Sequence, residues 1–414
     1  MNEILLFAVV LSLAFFGGPA SYAQQQEQVA SGVSSVKPTT QIFAHFMPWF
    51  VADAENDKWG WHWTMNSVDP RQFVAAGRRN VAAHYYPEIG LYDSAGDGVI
   101  EYQLLLMKLA GIDGVIVDWY GRKDHFDYAL LHANTAKLMA CAQRLGMKFA
   151  VCYEDQTIPK LVSGGKIDAS EVVEHAVSEI KWLNDNWFGK ENYLRLDGLP
   201  VLLSFGNEGL SDPQWDQAIK ALGFRVQYFS EHHRRNGAVG AFDWPVPDKS
   251  KTTETFLRDS KQWKQFIPVA YPGFNDFYQQ AGVSKQRRQI PEEGGLTFRK
   301  TLRQALTAGA PVIQIATWND WGEGTMIEPS LEFGDRDLQV VQELRRELVD
   351  PNFKYSVDDL KLPGRLLALR RSKPPAGEQK LDAIAKAIAS GDTTTARKQL
   401  AETAETAEAA QHRD

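Results

Sequence analysis

The segment from residue 317 to residue 329, TWNDWGEGTMIEP, holds the densest group of residues that could do chemistry. Asp320 and Glu323 lie three positions apart in it, Glu328 follows, and two indoles stand among the acids. Cleavage of a glycosidic bond needs one carboxyl group to protonate the leaving oxygen and a second to support attack at the anomeric carbon. Indole faces stack on sugar rings, and apolar surroundings raise the pKa of a carboxyl group so that it can act as an acid. The pattern therefore predicts that Asp320 and Glu323 form a carbohydrate-cleaving pair.

The same acids also have a purely structural interpretation. Asp320 could cap the N-terminus of a following helix, with Glu323 in its first turn, because acidic residues are common at both positions. Spacing alone leaves both interpretations open.

Further polar and aromatic residues follow other predicted strands. Such strand-end positions are where a barrel enzyme places its functional residues. The candidates that they supply for substrate binding are His45, Trp49, Asp118, Trp119, Tyr120, Glu154 and Tyr271.

The elements that must position these residues alternate along the chain. Predicted strands cover residues 41–46, 114–119, 148–153, 200–205, 224–229, 238–244, 268–271 and 311–318. Predicted helices between most of them cover residues 99–110, 128–145, 171–186, 213–221, 253–263 and 296–308. Eight mostly apolar strands that alternate with helices indicate a parallel sheet closed as a (β/α)8 TIM barrel, an α/β fold. A doubly wound open sheet is the alternative, but no Gly-rich dinucleotide-binding turn follows the first strand.

Composition limits the class of protein. The chain has 414 residues, of which 44% are hydrophobic, so it can bury a large core and is neither disordered nor a disulfide-stapled module. The net charge of −7 argues against nucleic acid as the partner, because phosphate backbones require clustered positive charge. His45, His62 and His84 lack the spacing of metal ligands, so we expect no metal and no cofactor.

The two ends of the chain differ from the middle. An apolar run at residues 4–16, followed by small residues up to Ala23, predicts a cleaved signal peptide and a secreted or periplasmic protein; an uncleaved anchor is the alternative. Residues 24–39 are expected to be a linker and 40–371 the barrel, with no membrane span in the mature chain. Residues 376–414 predict a short C-terminal helical hairpin or an exposed tail. Cys141 and Cys152 could pair, but buried free thiols are an equally good interpretation.

Several stretches together resemble the endo-α-mannosidases of glycoside hydrolase family 99 and the related α-1,3-glucanases of family 71. The matching stretches lie in the same order between about residues 41 and 348: Trp61-His62-Trp63, residues 86–94 with Tyr92, residues 110–121, Glu154, residues 196–200, residues 271–276 and residues 317–329. The resemblance implies a (β/α)8 barrel and an oligosaccharide or polysaccharide substrate.

The resemblance also implies roles for single residues. Glu323 matches the general acid/base of family 99, and Asp320 matches a Glu that deprotonates the 2-hydroxyl of the substrate itself. Glu154 matches a carboxylate beside the sugar at the cleaved bond, and Trp119 or Tyr120 matches an aromatic platform. The other residues that the matched stretches add as substrate contacts are Trp61, His62, Tyr92, Asn319, Trp321 and Glu328.

Some positions depart from the family 99 pattern. Asp320 is one methylene shorter than Glu, Gly322 replaces His, and Phe46, Phe50 and Phe274 stand where Tyr is favoured. These departures weaken the mannoside assignment more than the hydrolase assignment. We therefore expect an endo-acting hydrolase of α-mannosides first and of α-glucans next, with retention of configuration. A non-catalytic carbohydrate-binding barrel and a surface-polysaccharide assembly protein are the alternatives.

Overall fold

The structure is a computed structural model that describes residues 40–96, 98–206, 208–247, 252–286, 288–372 and 377–411. The signal peptide and the linker predicted for residues 1–39 lie outside the described residues. None of the helices in the described ranges combines the length and the hydropathy that crossing a bilayer requires.

Eight parallel strands form the centre of the fold, as the sequence predicts. They are β1 (Gln41–Phe46), β2 (Gly114–Trp119), β3 (Lys148–Glu154), β4 (Leu199–Phe205), β5 (Gln227–Glu231), β6 (Gly240–Phe242), β7 (Gln265–Ile267 and Val269–Ala270) and β8 (Val312–Ile315). Each strand pairs with its sequence neighbours, and β1 also pairs with β8, in the register Gln41↔Val312. The order is that of a closed (β/α)8 barrel and not of an open doubly wound sheet.

The ring closes through a divided seventh strand. Residues 265–267 pair with β6, and residues 269–270 pair with β8. Pro268 lies between the two parts, and it has no backbone N–H to donate to a ladder. Its carbonyl oxygen still accepts a hydrogen bond from the backbone N–H of Gln314 at 3.0 Å, so the ring stays continuous.

Helices cover the outside of the barrel. They span Val99–Ala110, Tyr128–Arg144, Val172–Leu183, Asp212–Ala221, Thr252–Asp259, Leu296–Thr307 and Arg336–Leu348, and short helices span Trp61–Thr64 and Thr157–Ser163. Gly111 ends the first of these at a φ of 94°, the left-handed conformation that glycine adopts readily after a helix. Ser211 and Gln214 form a capping box at the start of the fourth. A loop joins β5 to β6 without a helix.

Strand alternation divides the core into two layers. One layer fills the barrel interior with residues such as Phe43, Ile116 and Leu203. The other layer lies between the strands and the helices. It includes the strand residues next in sequence to those of the inner layer, such as Val115 and Leu202. A strand-end residue therefore faces the barrel mouth only when its position continues the inner row.

The C-terminal region is a packed helical hairpin and not an exposed tail. Helices Glu378–Ser390 and Thr393–Gln411 lie against Leu362–Ser372, and the side chains of Leu381 and Ile384 are fully buried there. The Arg370 guanidinium joins the hairpin to the barrel, because it pairs with Glu101 and also with Glu378 and Asp382. The chain contains no disulfide between Cys141 and Cys152, whose thiols are free.

Candidate active site

A cavity of about 190 Å³ opens at the carboxyl ends of the strands. The inner row of strand residues supplies much of its wall, and the loop after β8 supplies the rest. Its lining residues are His45, Met47, Trp49, Asp118, Tyr120, Glu154, Gln156, Phe205, Trp244, Tyr278, Asp320 and Glu323. The volume is that of about one sugar ring, and acids and aromatic rings both face it.

Asp320 and Glu323 share one tight turn after β8. The Asp320 backbone N–H donates to the Thr317 hydroxyl at 2.8 Å, and Asp320 Oδ1 accepts from the Glu323 backbone N–H at 2.9 Å. Asp320 thus caps a turn, but the next helix begins only at Arg336, so the helix-cap interpretation does not hold. Both carboxyl groups line the cavity instead.

Burial raises the pKa of both acids, but by different amounts. Loss of hydration raises the pKa of Asp320 to about 6, while hydrogen bonds from the backbone N–H groups of Glu323 and Gly322 favour its ionised form. The pKa of Glu323 is raised well above its ordinary value, first by burial and then by the charge of Asp320. The backbone hydrogen bonds that stabilise the Asp320 carboxylate suit a base, and the burial that favours protonated Glu323 suits an acid beside it.

Two more carboxyl groups crowd the same cavity. Burial, and then the charge of Asp320, raises the pKa of Asp118 well above its ordinary value. Burial and the charge of Asp118 do the same to Glu154. Asp118 Oδ1 has no hydrogen-bond partner within the described residues. Because neighbouring carboxylates in a buried site repel each other, the protonated form of each acid is favoured more than it would be for an isolated carboxyl group.

His45 and Trp49 contribute uncharged groups to the cavity wall. Burial lowers the pKa of His45 to about 4, so its ring is neutral. The rings of His45 and Trp244 pack edge to face, with their centroids 4.8 Å apart. The indole N–H of Trp49 is buried and has no acceptor among the described residues. Such donors and neutral imidazoles suit the hydroxyl groups of a sugar.

A wider groove of about 780 Å³ continues from the cavity. The two share Trp49, Tyr120, Glu154 and Gln156, and the groove adds Trp61, His62 and Phe126. Trp61 is 39% exposed and Phe126 74% exposed, so large apolar faces remain open to solvent there. The ring of His62 is stacked on Trp49 at 4.1 Å and lies 3.6 Å from the Asp127 carboxylate.

Trp119, one of the two predicted platforms, does not reach the cavity. It belongs to the outer core layer and is fully buried, with its indole N–H donating to His132 Nδ1 at 3.1 Å. Tyr120, the next residue, lines both cavity and groove. Strand alternation is the reason, because neighbouring residues face opposite sides of a strand.

Glu328 and three other predicted substrate contacts form a buried structural cluster instead. Glu328 accepts hydrogen bonds from the Tyr92 hydroxyl at 2.7 Å, the Gln103 amide at 2.8 Å and the Trp321 indole at 3.3 Å. The Asn319 side chain bonds the Met47 backbone in both directions, at 2.8 and 3.0 Å. None of the four predicted members lines the cavity, so they join the loop after β8 to that after β1.

Tyr271 also lies away from the cavity and the groove. Its backbone N–H donates to the Thr301 hydroxyl at 3.0 Å, and the residue is half-buried. The matched stretch 271–276 instead brings the next loop to the site. The backbone N–H groups of Asn275 and Phe277 donate to the carbonyl oxygens of Glu323 and Gly322 at 2.8 and 2.9 Å.

Sequence reasoning missed several residues of the site. Tyr278 and Trp244 line the cavity, and the Arg288 guanidinium lies 4.0 Å from Glu323 Oε1. Tyr278 stands only two positions beyond the matched stretch, and Trp244 ends a predicted strand, so position could have indicated both. Arg288 is twelve positions beyond Asp276, directly before the second arm of a hairpin, and no spacing rule points to it.

The described part of the chain contains no group of three or more His, Cys, Asp or Glu side chains arranged to hold a metal ion.

Comparison with known proteins gives a consistent picture. No protein-family model matches the sequence. A glycoprotein endo-α-1,2-mannosidase-like protein of Danio rerio is 23% identical over 305 residues, which are 64% of this chain and 64% of that protein. The chain thus spans just under two thirds of the length of this curated relative.

Two solved structures share the fold. The GH99 endo-α-mannosidase of Bacteroides thetaiotaomicron has a TM-score of 0.58 at 16% identity and covers 74% of this chain and 97% of its own. The same enzyme in complex with bis-tris-propane has a TM-score of 0.56 at 17% identity and covers 76% and 99%. At these identities the structures establish a common fold. The resemblance to family 99 that the motifs indicate is confirmed as a similarity in sequence and in architecture.

Proposed function

We propose that this protein is a glycoside hydrolase that cleaves internal α-glycosidic bonds, α-mannosides first and α-glucans next. The observation that carries the proposal is the turn that places Asp320 and Glu323 together on a cavity of about 190 Å³ among aromatic rings. The similarity to endo-α-mannosidases supports the choice of linkage.

The electrostatics suggest how the two acids divide the work. Burial and the charge of Asp320 favour the protonated form of Glu323, so it donates that proton to the glycosidic oxygen as the bond to the anomeric carbon breaks. The Asp320 carboxylate, stabilised by backbone N–H groups, takes the proton of the 2-hydroxyl, whose oxygen attacks the anomeric carbon to give a 1,2-anhydro sugar. Water then attacks the anomeric carbon and opens that ring, giving its proton to Glu323 while Asp320 returns its proton to the 2-oxygen, with net retention. A 2-hydroxyl trans to the leaving group, as in α-mannosides, is required.

The groove supports action within a chain. It meets the cavity on the side of Tyr120 and Glu154, while Glu323 belongs to the loop after β8. A groove of about 780 Å³ has room for sugars beyond the one at the cleaved bond, with Trp61 as an exposed stacking face.

A non-catalytic carbohydrate-binding barrel is the second candidate. Asp320 favours it, because this shorter acid is also tied to the backbone of its own turn through Oδ1. Its carboxylate then has less reach toward a hydroxyl than a Glu would have.

The deciding experiment incubates the purified protein with α-mannan, α-1,3-glucan and sulfated α-glycans and follows product mass and anomeric configuration. Internal cleavage with first-formed α-anomers is the expected result. Bound glycan without any product would favour the binding barrel, and products of inverted configuration would overturn the route through a 1,2-anhydro sugar. We also propose export through the segment 1–23, for which the mass of the mature protein recovered from outside the cytoplasm is the test.

A further inference from the structure

A short hairpin beside the catalytic turn carries a cation that the proposed reaction has not yet used. Residues Phe274–Asn275 pair antiparallel with Gln289–Ile290, and Arg288 directly precedes the second arm. The first arm is bonded to the catalytic turn through the Glu323 carbonyl oxygen. Arg288 is thus held beside the acid by the backbone of the loop itself.

Three side chains fix the guanidinium of Arg288. Its Nε donates to Asp276 Oδ2 at 2.8 Å, and Asp276 is buried. Its central carbon lies 5.2 Å from the ring centre of Phe274 and 5.6 Å from that of Tyr278. A guanidinium clamped between a carboxylate and two rings keeps its plane and its distance to neighbours.

The clamped group points a second nitrogen at the proposed acid. Arg288 Nη2 lies 4.0 Å from Glu323 Oε1, the upper limit of an ion pair and too far for a hydrogen bond. The cation therefore leaves the Glu323 carboxyl free to contact a substrate, yet its charge acts on that carboxyl. It is one of the influences that lower the pKa of Glu323 against burial and the charge of Asp320.

We infer that Arg288, fixed by Asp276 between Phe274 and Tyr278, is a positioning residue that stabilises the Glu323 carboxylate formed when the proton passes to the glycosidic oxygen. The inference rests on the proposed function. When the carbon–oxygen bond breaks, its electron pair and the proton go to the leaving group, and the negative charge stays on Glu323. A fixed cation in place beforehand lowers the cost of that charge.

Other charged or titratable groups face Glu323 and set the background against which Arg288 acts. They are Asp320 on the same turn, Asp276 and Tyr278 on the loop after β7, Glu231 at the end of β5, and Asp118, Glu154 and His45 on the cavity wall. Most of these groups are acids, and none of them is a cation. Among the groups named here, Arg288 alone brings a positive charge to Glu323.

The test compares Arg288→Gln and Arg288→Lys with the wild type and with Arg299→Gln. Arg299 is a matched control, because it is 41% exposed against 38% for Arg288 and also pairs with a carboxylate, Glu343, far from the cavity. Carbon-13 titration of Glu323, assigned with Glu323→Gln, reports its pKa whether or not a substrate is turned over. We expect Arg288→Gln to raise that pKa by about one unit, Arg288→Lys to raise it less, and Arg299→Gln to leave it unchanged.

Turnover supplies the second readout. With an unactivated sugar leaving group, Arg288→Gln should lower kcat about tenfold, because a weaker acid protonates a poor leaving group more slowly. With an activated aryl leaving group, the loss should be smaller. An unchanged Glu323 pKa in a folded Arg288→Gln protein would overturn the inference, as would equal losses for both leaving groups. Inactivity of the wild type on every glycan would count against the proposed function alone, since the titration still decides the role of Arg288.

Discussion

Asp320 Oδ1 accepts a hydrogen bond from the backbone N–H of Glu323 at 2.9 Å, so the two candidate catalytic acids are fixed relative to each other by one turn. Glu323 therefore cannot change its backbone position without disturbing the carboxyl group of Asp320. Replacing either acid should remove activity without removing the cavity.

Glu323→Gln removes the proton that the leaving oxygen needs. We expect turnover to fall by about 10²–10⁴-fold, the usual contribution of general acid catalysis. Asp320→Asn should cause a loss of similar size, because the amide cannot take a proton from the 2-hydroxyl. The measurement is the initial rate on the best glycan of the panel, and Glu343→Gln, an exposed surface change, is the control. Full activity in Glu323→Gln would end the assignment.

Asp320 should also make stability depend on pH. Its pKa is raised to about 6 in the folded protein from the ordinary 3.8, so the folded state binds the proton more tightly than the unfolded chain. Stability therefore falls as pH rises from about 4 to 6 and is lowest, with respect to this group, above pH 6. Asp320→Asn removes the cost of burying the charge and should stabilise the protein by about 2 kcal/mol at pH 7.5. The stabilisation by Asp320→Asn should be smaller at pH 4 than at pH 7.5, as measured by thermal melts of both proteins. Equal stabilisation at the two pH values would contradict this prediction.

Glu328 should behave as a structural residue. It accepts hydrogen bonds from three buried donors, so Glu328→Ala removes the acceptor of Tyr92 and Gln103 and leaves the Trp321 indole only the Tyr92 hydroxyl. We expect a loss of about 3 kcal/mol or more in the free energy of unfolding, measured by denaturant titration. If Glu328 contacted substrate instead, the variant would keep its stability and raise KM.

Trp119 and Tyr120 form a matched pair of neighbours with opposite expected effects. Trp119→Phe loses the hydrogen bond to His132 and some core packing, which should lower stability by about 1–2 kcal/mol and leave glycan affinity unchanged. Tyr120→Ala removes a ring that lines the cavity and the groove, and should weaken glycan binding about tenfold, or about 1.4 kcal/mol. Titration calorimetry of both variants, made in the Glu323→Gln background so that the glycan is not hydrolysed, measures the change in glycan affinity for each. Weaker binding in Trp119→Phe would contradict the geometry.

The barrel could be predicted from sequence because its evidence is local. Apolar strands and helix-ending glycines such as Gly111 recur along the chain, and each element has its own signal. The fifth strand was predicted at residues 224–229 but spans Gln227–Glu231, so Glu231 was not recognised as a strand-end acid. The apolar pattern could not place that boundary, because Phe224 and Val226 are apolar whether the strand begins before them or after them.

The site was harder to predict because sequence does not show which side chains face inward. Asp320, Glu323 and Glu328 share one motif, yet only the first two line the cavity. Glu328 turns away because the donors that satisfy it come from residues 92 and 103, more than 200 positions earlier. The alternation of inward and outward residues along β2, extended one residue past its end at Trp119, places Tyr120 on the inner side and Trp119 on the outer side.

The division of β7 at Pro268 decides which neighbouring strand each part of the barrel mouth is bonded to. Residues 269–270 are laddered to β8, and the chain that leaves them forms the hairpin carrying Arg288, which is itself bonded to the turn of Glu323. Residues 265–267 instead belong to the β6 side. Glu323 and Arg288 thus belong to loops that are hydrogen-bonded to each other and connected to the β8 side of the barrel. The hydrogen bonds that set the distance between Arg288 and Glu323 therefore come from the β8 side of Pro268.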